Sequence, residues 1–167
     1  MMKLTEKETE ILEILEKDSR LSAETISKMV DLSVEETESL IKGLEDRRII
    51  VDYTTTIDWK KVDGHEGVTA MIDVKVTPKR GVGFNEIAER IYRFHEVKSV
   101  YLMSGAYDLS VIIEGRTMSD IAHFVSEKLS TLDSVISTTT HFILKKYKHD
   151  GKIFDQGDED KRMVVSP

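Results

Sequence analysis

The stretch that most limits how this chain can fold is residues 97–115, VKSVYLMSGAYDLSVIIEG. Val97, Ser99, Tyr101 and Met103 alternate with Lys98, Val100, Leu102 and Ser104. Past the turn Ser104-Gly105-Ala106-Tyr107, the residues Tyr107, Leu109, Val111 and Ile113 alternate with Asp108, Ser110, Ile112 and Glu114. Period two in β-branched and aromatic residues, bounded by glycine, spells a β-hairpin. Both of its faces are largely apolar, which predicts that both are covered. The turn sets Gly105 beside Asp108, and a permissive backbone next to a carboxylate can hold a small polar ligand, above all one with an ammonium group. The same two residue types are also ordinary turn formers, so the turn by itself is equally a loop.

The hairpin sits inside a longer pattern. Residues 68–76 read as a strand with Ala70, Ile72, Val74 and Val76 on one face. The loop 77–83 contains Gly-Val-Gly, but neither a Lys-Ser/Thr nor a GxGxxG follows, so no phosphate cradle is read there. Phe84, Ile87, Ala88, Ile91 and Tyr92 fall at helical spacing. After the hairpin, Thr117 caps a second helix with Met118, Ile121, Ala122, Val125 and Leu129 inward, and a last strand runs from about Val135 to Lys146. The order β-α-β-β-α-β is the ferredoxin-like plan. Two helices cover one face of such a sheet, and apolar positions left on the other predict a homodimer through it.

Upstream, Thr5…Glu8 and Ser33…Glu36 are two capping boxes, and Ser22 is an N-cap between them. Three short amphipathic helices follow from these starts. Their inward residues are Glu8, Ile11, Leu12 and Leu15, then Ile26 and Met29, then Thr37, Leu40, Ile41 and Leu44. Residues 49–51 and 53–57 are β-prone. Three helices and a strand pair are the layout of a winged helix-turn-helix, whose third helix enters the major groove of duplex DNA. The residues so placed are Ser33, Glu35, Glu36, Glu38, Ser39 and Lys42, with Arg47 and Arg48 beyond them. The domains are therefore expected at 1–57 (winged helix), 58–67 (polar linker with the only tryptophan, Trp59, packed on a domain surface), 68–146 (sensing and oligomerisation) and 147–167 (charged tail). Within the tail, 162–165 can add a short strand to a neighbour.

Charge complicates the DNA reading. Residues 1–60 hold 9 Lys+Arg against 15 Asp+Glu, while residues 61–167 hold 15 against 16. An acidic surface repels phosphate. The 167 residues contain no cysteine, which excludes disulfides and thiolate metal sites. No apolar run approaches a membrane span or a secretory signal, so a cytoplasmic chain with no membrane partner is expected. The five histidines (His65, His95, His123, His141, His149) show no metal-ligand spacing and no nucleophile beside them, and neither GxSxG nor HExxH is present. No enzyme activity, metal or cofactor is expected.

The chain resembles the Lrp/AsnC (leucine-responsive/asparagine-type, feast/famine) transcriptional regulators over residues of about 4–146. The resemblance rests on Leu21-Ser22, Ile41-Lys42-Gly43-Leu44-Glu45, Ile49-Ile50, Gly105-Ala106-Tyr107-Asp108 and Ser137-Thr138-Thr139-Thr140. It implies an α+β chain, with an N-terminal winged helix-turn-helix and a C-terminal ferredoxin-like βαββαβ ligand-sensing domain. It also implies dimers that assemble further, often into octamers, double-stranded DNA as partner, and a small effector, usually an amino acid, between dimers. Carried onto matching positions, the effector residues are Gly105, Ala106, Tyr107 and Asp108, with Thr138 and Thr140 in support. The family's third helix usually carries arginine where this chain has Ser39, Leu40 and Gly43, and Ser/Thr where it has Glu35 and Glu38. The glycine usual before the wing is Arg48. Two alternatives follow: a metabolite-sensing oligomeric scaffold whose winged helix binds protein, and, more remotely, an enzyme like the sirohaem decarboxylases, which share the architecture.

Overall fold

Helix caps set the first part of the chain. In the computed structural model, which describes residues 3–64, 67–77 and 83–154, the chain divides between Thr56 and Ile57 into two units. The first holds α1 (Glu6–Lys17), α2 (Ala23–Val30) and α3 (Val34–Asp46). Both capping boxes form. The Glu8 carboxylate accepts from Thr5 N–H at 2.8 Å, and that of Glu36 accepts from Ser33 N–H at 3.0 Å. Ile11, Leu15, Ile26, Val30 and Leu44 make the core. Met29, expected inward, is exposed, because Ile26 and Val30, four residues apart, already fill the stripe. Thr37 is fully buried, and its hydroxyl donates to Ser33 O at 2.9 Å.

The expected strand pair after α3 is not formed among the described residues. Ile49 N–H and Ile50 N–H both donate to Leu44 O, at 2.9 and 3.2 Å, and Arg48 N–H donates to Glu45 O at 2.8 Å. This is a Schellman ending, and it consumes the amides a ladder would need. Arg48 occupies its left-handed position with φ 53°, where glycine fits without strain. Residues 51–57 form neither helix nor strand. Tyr53 Oη donates to Glu45 at 2.8 Å, and burial together with that carboxylate pushes the phenol up to about 12.

The second unit opens with a single 3-10 turn, Trp59–Lys61, capped by Asp58. Trp59 is half exposed at 47%. Then come β1 (Val68–Val76), α4 (Phe84–Tyr92), β2 (Val97–Leu102), β3 (Leu109–Gly115), α5 (Met118–His123), β4 (Val135–Phe142), β5 (Lys148–His149) and β6 (Lys152–Ile153). Four strands form one antiparallel sheet in the order β2-β3-β1-β4, as the ferredoxin-like plan requires. Ala70, Ile72 and Val74 pair with Ile113, Val111 and Leu109, and all six are buried beneath the helices.

Five expectations need correction here. Met118 and Ala122 are exposed, and α5 widens into a π-helical segment at Phe124–Leu129. The wider turn brings Phe124 inward, edge-on to Phe94 at 5.6 Å. Tyr92 is exposed as well. The hairpin is not covered on both faces: β2 is an edge strand, and Tyr101 and Leu102 are exposed. The uncovered sheet face is mixed rather than apolar, since Met71 and Ile112 share it with Asp73, Ser110, Glu114, Thr139 and His141. On it, His141 Nε2 lies 3.1 Å from Asp73. The last strand stops at Phe142, and a small β5–β6 hairpin follows. The charged segment 155–160, the expected strand 162–165, His65 and most of the loop 77–83 lie outside the described residues.

Candidate functional site

The turn between β2 and β3 is held at both ends. Gly105 has φ 138°, a conformation that side-chain-bearing residues rarely adopt. Met103 N–H donates to Asp108 O at 2.8 Å, and Asp108 N–H donates to Val74 O at 3.1 Å. Asp108 Oδ2 accepts from Val76 N–H at 2.9 Å, so this carboxylate continues the β1–β3 ladder beyond the last paired residue. Tyr107 Oη lies 3.2 Å from Thr139 Oγ1 on β4. Asp108 thus fixes the turn to β1 and Tyr107 fixes it to β4, while Gly105 and Ala106 stand exposed between. Thr139, which sequence reasoning did not nominate, is the β4 threonine that meets Tyr107. Thr138 and Thr140 pair with Val74 and Ile72 and share their helix-covered face. Strand alternation carries the signal that separates Thr139 from its neighbours.

The candidate DNA-reading residues split in the same way. Glu35, Glu38, Ser39 and Lys42 are exposed and form one stripe at i, i+3, i+4, i+7 on α3. Ser33 and Glu36 are engaged with each other, and the Ser33 N–H holds the Glu36 carboxyl below its usual range. Arg47 is not on the exposed stripe. Its Nη2 pairs with Glu8 on α1, and its Nε donates to Gly43 O at 2.8 Å. The Thr5 N–H first, and Arg47 after it, hold the Glu8 carboxyl low against the effect of burial. Arg48 is exposed.

A groove of about 1320 Å³ lies in the second unit, at the end of β1 away from the Gly105 turn. The 3-10 turn, the start of β2, the end of β3 and the segment after β4 line it. Nothing in the periodicity marks such a site. The Asp150-Gly151 pair beside it, however, is a hairpin signal that reasoning from the tail's charge overlooked. Both residues have positive φ, 43° and 75°. Among the described residues no three His, Cys, Asp or Glu side chains cluster as a metal site.

The chain thus joins a helical unit of three capped helices to a ferredoxin-like unit with a braced polar turn. Residues 69–153 match the Lrp/AsnC ligand binding domain. The uncharacterized HTH-type transcriptional regulator YugG of Bacillus subtilis is 73% identical over 166 residues, 99% of this chain and 100% of that one. LrpA of Pyrococcus horikoshii is 33% identical over 87% of this chain and 99% of its own length. A transcriptional regulator of Neisseria meningitidis, solved in complex with L-Met, superposes with a TM-score of 0.71 at 26% identity, covering 88% of this chain and 94% of that one. The chain belongs to the Lrp/AsnC family of transcriptional regulators.

Proposed function

We propose that this chain is a regulator whose assembly and affinity for double-stranded DNA respond to an amino acid bound at the Gly105–Asp108 turn. The observation that carries this reading is the bracing of that turn by Asp108 on Val76 and Tyr107 on Thr139. It leaves exposed backbone and two hydroxyls where a zwitterion can bind through charge-assisted hydrogen bonds. Asp108 already spends Oδ2 on Val76, so its contribution to an ammonium comes through Oδ1. The Neisseria relative with L-Met supports an amino-acid ligand. Dimers form through the sheet and associate further, toward octamers, and the effector acts by its different affinity for the two assemblies. A helix-turn-helix regulator that docks on DNA works in the cytoplasm, with the chromosome.

The test is a mobility-shift titration on the gene's upstream DNA at low and moderate salt, with and without an amino-acid mixture, paired with light scattering. A salt-weakened shift that one amino acid changes together with particle size supports the reading. No change in size or affinity with any common amino acid overturns the coupling. The acidic stripe Glu35–Glu38 favours a second reading, a sensor whose helix-turn-helix binds protein, and a folded, assembled chain that shifts no DNA at low salt selects it.

A further inference from the structure

DNA binding needs cations, and the first unit is short of them. Residues 1–56 hold 8 Lys+Arg against 14 Asp+Glu. Of the 8, Arg47 is paired to Glu8, Arg20 to Asp18, Lys28 to Glu24 and Lys7 to Glu10. The second unit sets a group of lysines along its groove. Lys60, Lys61, Lys98, Lys145 and Lys146 line the groove at the far end of β1. Lys148 and Lys152 stand exposed on the β5–β6 hairpin, which leads into Phe154 on the same groove wall. Two carboxylates beside these lysines are loosely engaged. Glu114 is set between Lys98 and Lys146, 3.8 Å from each, and Asp58 lies 3.8 Å from Lys61. These separations exceed hydrogen-bond distance, so each lysine can turn to a stronger acceptor. Asp150 faces His149 at 3.4 Å. The acids of the opposite wall are spent elsewhere: Glu96 on Lys128, Asp120 on the N–H groups of Arg116 and Thr117, Glu127 beside His123.

The frame that carries these lysines is fixed. Lys60 Nζ donates to Leu144 O at 3.1 Å and joins the 3-10 turn to the segment after β4. Phe154 N–H donates to Tyr147 O at 3.0 Å and closes the hairpin. Lys145 Nζ sits 4.8 Å over the Tyr147 ring, which is itself exposed and offers a hydroxyl donor.

We propose that this face of the ligand-binding unit contacts the phosphate backbone of duplex DNA, supplying the sequence-independent attraction that α3 lacks. Phosphate contacts by lysine carry affinity and register, and base contacts carry sequence. The acidic α3 then serves for discrimination. The inference rests on the reading that the chain binds duplex DNA.

The test uses the full chain and two duplexes of equal length, the upstream region and a scrambled one, titrated across salt. Lys145→Gln/Lys148→Gln/Lys152→Gln removes three exposed charges. It is expected to weaken binding to both duplexes alike and to flatten the slope of log K against log salt by about 0.9 for each phosphate that no longer meets a lysine. Glu114→Gln, which frees two lysines from their shared carboxylate, is expected to tighten binding to both. Lys42→Gln serves as the α3 control. If the triple variant keeps the wild-type slope, or loses affinity for the upstream duplex alone, the proposal is overturned while DNA binding stands. If the wild type binds neither duplex at low salt, the DNA-binding reading itself falls.

Discussion

Arg48 shows what one residue concedes to keep a charge. Its backbone sits at φ 53° in the turn that ends α3, a conformation that costs a residue with a side chain about 1–2 kcal/mol. Arg48→Gly is expected to raise the stability of the first unit by about 1 kcal/mol, read as a higher denaturant midpoint, while weakening DNA binding. Gly105 is the converse case. Its φ of 138° makes Gly105→Ala cost about 1–3 kcal/mol, and amino-acid binding should weaken with it because the exposed turn moves. Glu8 gives the molecule an acid limit. Its carboxyl is held below the usual 4.5 by the Thr5 N–H and then by Arg47. The stability it contributes is complete above pH 4.5 and is lost as pH falls through the lower folded value. Glu8→Gln should flatten the acid limb of a stability–pH curve, measured by circular dichroism, at some loss near neutrality.

Elements were legible wherever the determinant was local. The capping boxes at Thr5 and Ser33, the 3.6-residue spacing of α1 and α3, that of α4 apart from Tyr92, and the alternation of β1 and β3 formed as read. Ser33 separates capping from recognition. Ser33→Ala is expected to lower the stability of the first unit by about 1 kcal/mol without changing the salt slope of DNA binding. What failed depended on partners distant in the chain. The π-helical segment of α5 brings Phe124 onto Phe94, and no helical period reports that. Residues 49–57 have β propensity, but α3's carbonyl at Leu44 claims their first amides. At the candidate site, Gly105 and Tyr107 were legible as turn residues. The pairing of Tyr107 with Thr139 rather than its neighbours is a matter of register, which a single strand does not encode. The pairing of Arg47 was not legible because its partner, Glu8, lies 39 residues away.

At the scale of the whole molecule, the Gly105–Asp108 turn and the lysine groove occupy the two ends of β1. From Val76 to Thr69 the strand covers roughly 23 Å at its usual rise. In physiological salt the field of an exposed charge decays over about 8 Å. A zwitterion arriving beside Tyr107 is therefore electrically invisible to Lys98 and Lys146. Any message between the two ends has to travel as a displacement of the sheet, or of one copy against another, and it should survive added salt even as DNA affinity itself fades.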